Sequence, residues 1–127
     1  NAVLAEHKAS GQKMVVVDSG KKTILTQEDI KSPDAEEKIK SAINKIKYQS
    51  AAVDEFTVTE KGTMKSYGKD IPYVKFKAKL KKLPIGEISG IISVVKDEKG
   101  NDKILISANE KDRYSQLISN EFFKEIK

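Results

Sequence analysis

The sequence predicts an α+β protein: an antiparallel, twisted sheet of about six strands packed with two main helices. Three observations carry this. Residues Tyr73 to Leu80 alternate strictly, with Val74, Phe76, Ala78 and Leu80 in one phase and Lys75, Lys77 and Lys79 in the other. Period two is the mark of a half-buried strand, whose successive side chains point to opposite faces. Two further apolar, β-branched runs, 88–95 and 103–108, flank a polar loop holding Gly100-Asn101, which reads as a hairpin. Finally, two stretches carry apolar residues at helical spacing. Helices segregated from a meander of strands give α+β. The expected order is strand, strand, helix, five strands, helix.

Taken in order, residues 1–12 read as a flexible leader, with Asn1-Ala2 as a remnant of cloning, and residues 13–127 as one α+β domain. Lys13 to Val17 is β-branched and predicts a strand. Asp18 to Lys21 is a turn, and Lys22 to Thr26 a short strand paired with the first. Ser32-Pro33-Asp34 marks a helix start: serine caps free amides, proline needs no donor there, and an acid suits the positive helix end. Ala35, Ile39, Ala42, Ile43 and Ile46 then form one stripe on a helix of about 14 residues.

Ala51 to Glu60 predicts a strand, and Gly62 to Asp70 a bend with a short strand. Pro84 closes the strand that ends near Leu80, because proline cannot donate to a central ladder. Residues 88–95 are apolar in both phases, so this strand should be covered on both faces. Asn109 is the expected cap of a final helix, whose stripe is Tyr114, Leu117, Ile118, Phe122 and Ile126.

Composition narrows the function classes. A chain of 127 residues suits one domain and buries roughly two thirds of its unfolded surface. The formal net charge of +5 arises from 24 basic and 19 acidic residues that interleave, which is thin support for nucleic-acid binding. Without cysteine there is no disulfide, thiolate nucleophile or zinc–thiolate site. No apolar run approaches the roughly 20 residues of a spanning helix. A start at Asn1 without methionine fits a chain from which a signal or lipid anchor has been removed.

This order, with Lys103-Ile104-Leu105-Ile106-Ser107-Ala108 leading to Tyr114 and Phe122-Phe123-Lys124-Glu125-Ile126, resembles the PsbP-like superfamily. That group includes the extrinsic PsbP proteins of photosystem II, the bacterial DcrB lipoproteins and the Ran-binding Mog proteins. The resemblance spans about residues 13–127 and rests on loose motifs. It implies an extracytoplasmic, membrane-anchored, non-enzymatic domain of the bacterial cell surface that binds another protein. No catalytic residue carries over, and the metal-binding histidines of the photosynthetic members are missing. Cystatin-like and NTF-type small lipoprotein folds are the rivals. They usually place the main helix first, against the two early strands here.

Candidate sites are few. His7, the single histidine, lies in the leader without a visible rigid partner, and a catalytic base needs one. Asp97, Glu98, Asn101 and Asp102 could offer oxygens to a cation. Their spacing is not that of a helix-flanked calcium loop, and such residues suit hairpin turns anyway. No acid sits in an apolar sequence setting that would raise its pKa for glycoside chemistry, although acid pairs can assemble in space. No nucleophile elbow or phosphate-binding glycine loop occurs. No cofactor is called for.

The most specific surface feature is the row Tyr73, Lys75, Lys77, Lys79 and Lys81, its amines about 7 Å apart along one strand face. It is the candidate partner-binding surface. It could equally be a solvated face, or an edge kept soluble by lysine. The leading expectation is an accessory domain with a protein partner. The alternatives are a module binding a polyanion or an anionic membrane surface through the lysines, and a hydrolase with a spatially assembled acid pair.

Overall fold

The structure, a computed structural model, describes residues 2–18, 25–46, 53–66, 69–80, 87–96, 100–110, 113–115 and 117–118. Its elements in chain order are β1 (Ala2–His7), β2 (Gln12–Asp18), α1 (Gln27–Lys31), α2 (Ala35–Ile46), β3 (Val53–Ser66), β4 (Lys69–Leu80), β5 (Glu87–Lys96) and β6 (Asp102–Glu110). The six strands form one antiparallel sheet in the order β1-β2-β6-β5-β4-β3. The α+β class and the antiparallel sheet are as the sequence predicts.

Both helices lie on one face of the sheet. Leu25, Ile30, Ala35, Ile39 and Ala42 pack there against Val17, Phe56, Val74, Phe76, Ile92, Val94 and Ile104. The alternating phase of β4 explains its share, since Val74, Phe76 and Ala78 all turn inward. Phe76 stands opposite Gly90 and stacks on Phe56, with ring centroids 4.9 Å apart. The opposite face carries a second apolar cluster, Met14, Ile71, Ile91 and Leu105, with Val16, Met64, Tyr73, Val95 and Tyr114 around it. β5 therefore buries residues of both phases, as its continuous apolar run predicts.

The stripe of α2 is in place: Ala35, Ile39 and Ala42 are buried, while the side chains of Ile43 and Ile46 lie outside the described residues. Ser32 hydrogen-bonds the Asp34 carboxylate, and its carbonyl accepts from the Ala35 N–H at 3.1 Å. α2 is described over 12 residues, Ala35–Ile46, and the residues after it lie outside the described ones.

Several expectations change. The leader is not a loose segment. Ala2 to His7 pair residue by residue with Val17 to Gln12, and a turn through Gly11 at φ 78° joins the two strands. The strand expected over 22–26 fails where it is described. Leu25 is buried, and Thr26 caps α1, accepting from the Asp29 N–H while the Asp29 carboxylate accepts from the Thr26 N–H. Lys38 then reaches both Asp29 (3.4 Å) and Asp34 (3.5 Å), tying α1 to α2.

Gly62 is no bend. It lies inside the 14-residue β3, opposite Tyr73, so the expected short strand merges into one long hairpin with β4. Register shifts at Val53/Glu55 and Val58/Glu60 mark bulges, which bend and twist a strand. Past Tyr73, pairing of β4 with β5 stops at Pro72, which has no N–H to give. Val94 would stand opposite Pro72 if the register ran on; its carbonyl accepts from Gln27 Nε2 instead (3.0 Å).

Asn109 caps no helix. It is part of β6, opposite Ser89. Of the expected final stripe, Tyr114 lies outside any helix and packs on the second cluster, Leu117 and Ile118 are helical, and Phe122 and Ile126 lie outside the described residues. The turn 18–21 is described only at Asp18, and Pro84 and Asp97 to Lys99 also fall outside. Among the described residues the order is strand, strand, helix, helix and four strands.

Candidate functional site

The face of the sheet away from the helices grades from apolar to charged along β4. Its cross-strand rows show this. Gly62, Tyr73, Ser93, Leu105 and Val16 stand side by side in one row; Glu60, Lys75, Ile91, Ser107 and Met14 form the next. Then come Thr57, Lys77, Ser89 and Asn109, and last Glu55, Lys79 and Glu87. Tyr73, Lys75, Lys77 and Lys79 thus share one face as the alternation requires. Lys81 lies outside the described residues.

The neighbours of the lysines were not visible in the strand's own sequence. Lys75 pairs with Glu60 at 3.7 Å and Lys79 with Glu55 at 3.5 Å, both across to β3. Glu87 stands opposite Lys79 on the other side. Lys77 lies between Thr57 and Ser89 and is exposed. Three lysines therefore share the patch with three glutamates, and the patch is a mixed-charge surface rather than a positive one. Exposed pairs of this kind contribute about 0–1 kcal/mol each, so the arrangement does little for stability.

Tyr73 is half-buried at the apolar end, its ring over Gly62. The patch is therefore bordered by an aromatic ring on one side and by charge on the other. It offers hydrogen-bonding amines, carboxylates and hydroxyls.

A second polar group escaped the sequence reading. Gln12 is fully buried. Its Nε2 donates to Ser107 Oγ (3.0 Å) and to the Ser115 carbonyl (2.9 Å), and its Oε1 accepts from the Ser115 N–H (2.8 Å). The side chain serves residue 115 as a pairing strand would. Asn109 Nδ2 donates to the Ser10 carbonyl (3.0 Å), bringing the β1–β2 turn to the end of β6. The available signal was phase: Gln12 alternates with Met14 and Val16, which face the second cluster.

His7 hydrogen-bonds Ser10 Oγ at 2.8 Å within that turn and is exposed. Asp102 is buried, and its Oδ1 has no hydrogen-bond partner among the described residues. Among the described residues no three His, Cys, Asp or Glu side chains converge to hold a metal ion. None of their helices is long and apolar enough to cross a membrane.

The Asp34 carboxyl is held below its usual range by the Ser32 hydroxyl first; desolvation opposes this, and a backbone amide and Lys38 add to the lowering.

No family model matches this sequence, and no curated protein does.

Proposed function

We propose that the chain is a non-enzymatic binding module that meets a protein partner through the charged end of its open sheet face. In this reading it is the extracytoplasmic, membrane-tethered part of a bacterial lipoprotein. The observation that supports the partner surface is the shared sheet face of Tyr73, Lys75, Lys77 and Lys79 beside Glu55, Glu60 and Glu87, with Lys77, Lys79, Glu55 and Glu60 exposed. A surface of both signs suits a protein surface of both signs, where complementary pairs fix register and orientation. Tyr73 adds the aromatic character that protein interfaces favour. The tether and the compartment rest on the PsbP-like resemblance, as does a closing helix after β6.

The test uses the full-length protein in its native cells. Photo-crosslinking from position 77 should recover a discrete partner. Recovery should vanish for Lys75→Glu/Lys77→Glu/Lys79→Glu and persist for Lys8→Glu, a charge change in the β1–β2 turn. Equal recovery from all forms would overturn the reading. Cell fractionation checks the compartment separately, and a cytosolic pool would remove the tether.

The second reading is a polyanion- or membrane-surface-binding module, and exposed Lys77 is what favours it. The ion pairs of Lys75 and Lys79 count against it. Binding to heparin or anionic vesicles that weakens steeply with salt would support it, because released counterions drive such binding.

A further inference from the structure

Among the described residues β3 is an outer strand of the sheet, with β4 on one side and no described strand on the other. Such an edge leaves backbone donors and acceptors open to a second chain. Here the edge is met by a carboxylate. The Val58 N–H donates to Glu36 Oε1 at 2.8 Å, from the first turn of α2. Val58 stands at a register shift, where a bulge interrupts the regular ladder. Three residues on, Lys61 Nζ donates to the Ser32 carbonyl at 2.7 Å, just ahead of the same helix. Two hydrogen bonds of opposite direction thus clamp the start of α2 across the bulged edge.

We propose that Glu36 is a plug that closes the β3 edge to a second copy of this chain. The occupant follows from geometry. An edge strand adds another by offering alternate N–H and C=O groups along its length, and the β3 of an identical chain presents the same set. Glu36 occupies one of those donors with an acceptor stronger than a carbonyl, since hydrogen bonds to ionised groups are shorter and stronger than neutral ones. It also sets a negative charge at the position where an incoming carbonyl would dock. The bulge twists the strand locally, so the plug and the bulge oppose flat edge-to-edge pairing together. Glu36 is exposed, so its side chain contributes little to the core and its position is better explained by the edge it covers.

The test compares four proteins: wild type, Glu36→Ala, Glu36→Gln and Glu37→Ala. The last removes a neighbouring exposed charge from the same helix turn. Sedimentation velocity over a hundredfold concentration range should show Glu36→Ala shifting to larger species at concentrations where wild type and Glu37→Ala do not. Glu36→Gln keeps an oxygen acceptor and should follow wild type more closely than the alanine variant does. Amide exchange at Val58, read by NMR at low concentration, should quicken about tenfold in Glu36→Ala, the scale of one lost hydrogen bond. Adding Lys61→Ala should shift the association further. Identical sedimentation of Glu36→Ala and wild type, or unchanged Val58 exchange, would overturn the proposal. Association of Glu37→Ala to the same extent would also overturn it, by assigning the effect to net charge.

Discussion

The ring of Tyr73 lies across Gly62 on the adjacent strand, so closely that a Cβ at Gly62 would stand 2.6 Å from the tyrosine oxygen. Gly90 is covered in a similar way by Phe76, and its nearest obstacle is closer still. A Cβ there would meet the Ser107 carbonyl oxygen at 2.4 Å, as well as Ala108 and the Phe76 ring. In both places an aromatic side chain fills the gap left by a strand glycine, which by itself weakens a sheet. The two sites differ in what must move. At Gly62 the obstacle is the free end of a half-exposed ring; at Gly90 it is a backbone carbonyl of β6 inside the sheet. Gly62→Ala should therefore cost about 1 kcal/mol, and Gly90→Ala about 3 kcal/mol, the range of mild and severe overpacking. Urea denaturation of both variants measures the difference, and Gly62→Ala should also shift the Tyr73 ring resonances.

The Gln12 side chain replaces a missing strand for residue 115. Gln12→Leu would keep much of its bulk but leave the Ser115 N–H and carbonyl without their amide partner in a part-buried setting. Stranding such groups costs about 1–3 kcal/mol. The variant should be destabilised by that amount in chemical denaturation, and the Ser115 amide should exchange faster with solvent. Gln12→Glu should behave worse at neutral pH, because a carboxylate cannot donate to the Ser115 carbonyl and its charge would be buried.

These two cases show what the sequence could and could not reveal. β2, β4, β5, β6 and α2 were legible because each repeats a pattern long enough to set its period. β4 is the clearest, with four apolar positions against three lysines. β1 was missed because Ala2 to His7 contains too few β-branched residues, and its identity as a strand comes from β2 beside it. α1 has only five residues, too few to show a helical period, although Thr26 and Asp29 cap it as a reciprocal pair. Gly62 read as punctuation because its cover, Tyr73, is eleven residues away in the chain. Asn109 read as a cap because cap and strand-end asparagines look alike until the Ser10 carbonyl is beside them. The lysine row was found, but its acid partners come from β3, so its net character was out of reach.

That row yields a prediction that separates stability from recognition. Lys75→Ala and Lys79→Ala each remove one exposed ion pair, and each should change stability by less than about 1 kcal/mol. Lys77→Glu should change it as little, since Lys77 faces Thr57 and Ser89 rather than an acid. It nevertheless turns a balanced group of three lysines and three glutamates into two and four. Thermal denaturation at low salt should show all three variants close to wild type. A fall larger than about 2 kcal/mol for any of them would mean that the row serves folding, and would weaken the case for a binding surface.

Asp34 gives the one pH dependence whose sign follows from its surroundings. The Ser32 hydroxyl, a backbone amide and Lys38 all favour its charged form, so its folded pKa lies below the ordinary 3.8. A carboxyl with a lowered folded pKa binds fewer protons folded than unfolded, so it supports the fold above the unfolded value. That support is lost as pH falls below 3.8 and through the lowered folded value. Asp34 is fully exposed, and solvent screening keeps the contribution small. Asp34→Asn removes the titrating group but keeps a side-chain oxygen able to accept from Ser32. The variant should be slightly less stable than wild type at neutral pH, and the gap should shrink as pH falls below 3.8 and through the lowered folded value. Urea midpoints of the two proteins across that range measure it. A gap that widens toward low pH would reverse the sign and show that burial, not the hydroxyl and Lys38, governs this carboxyl.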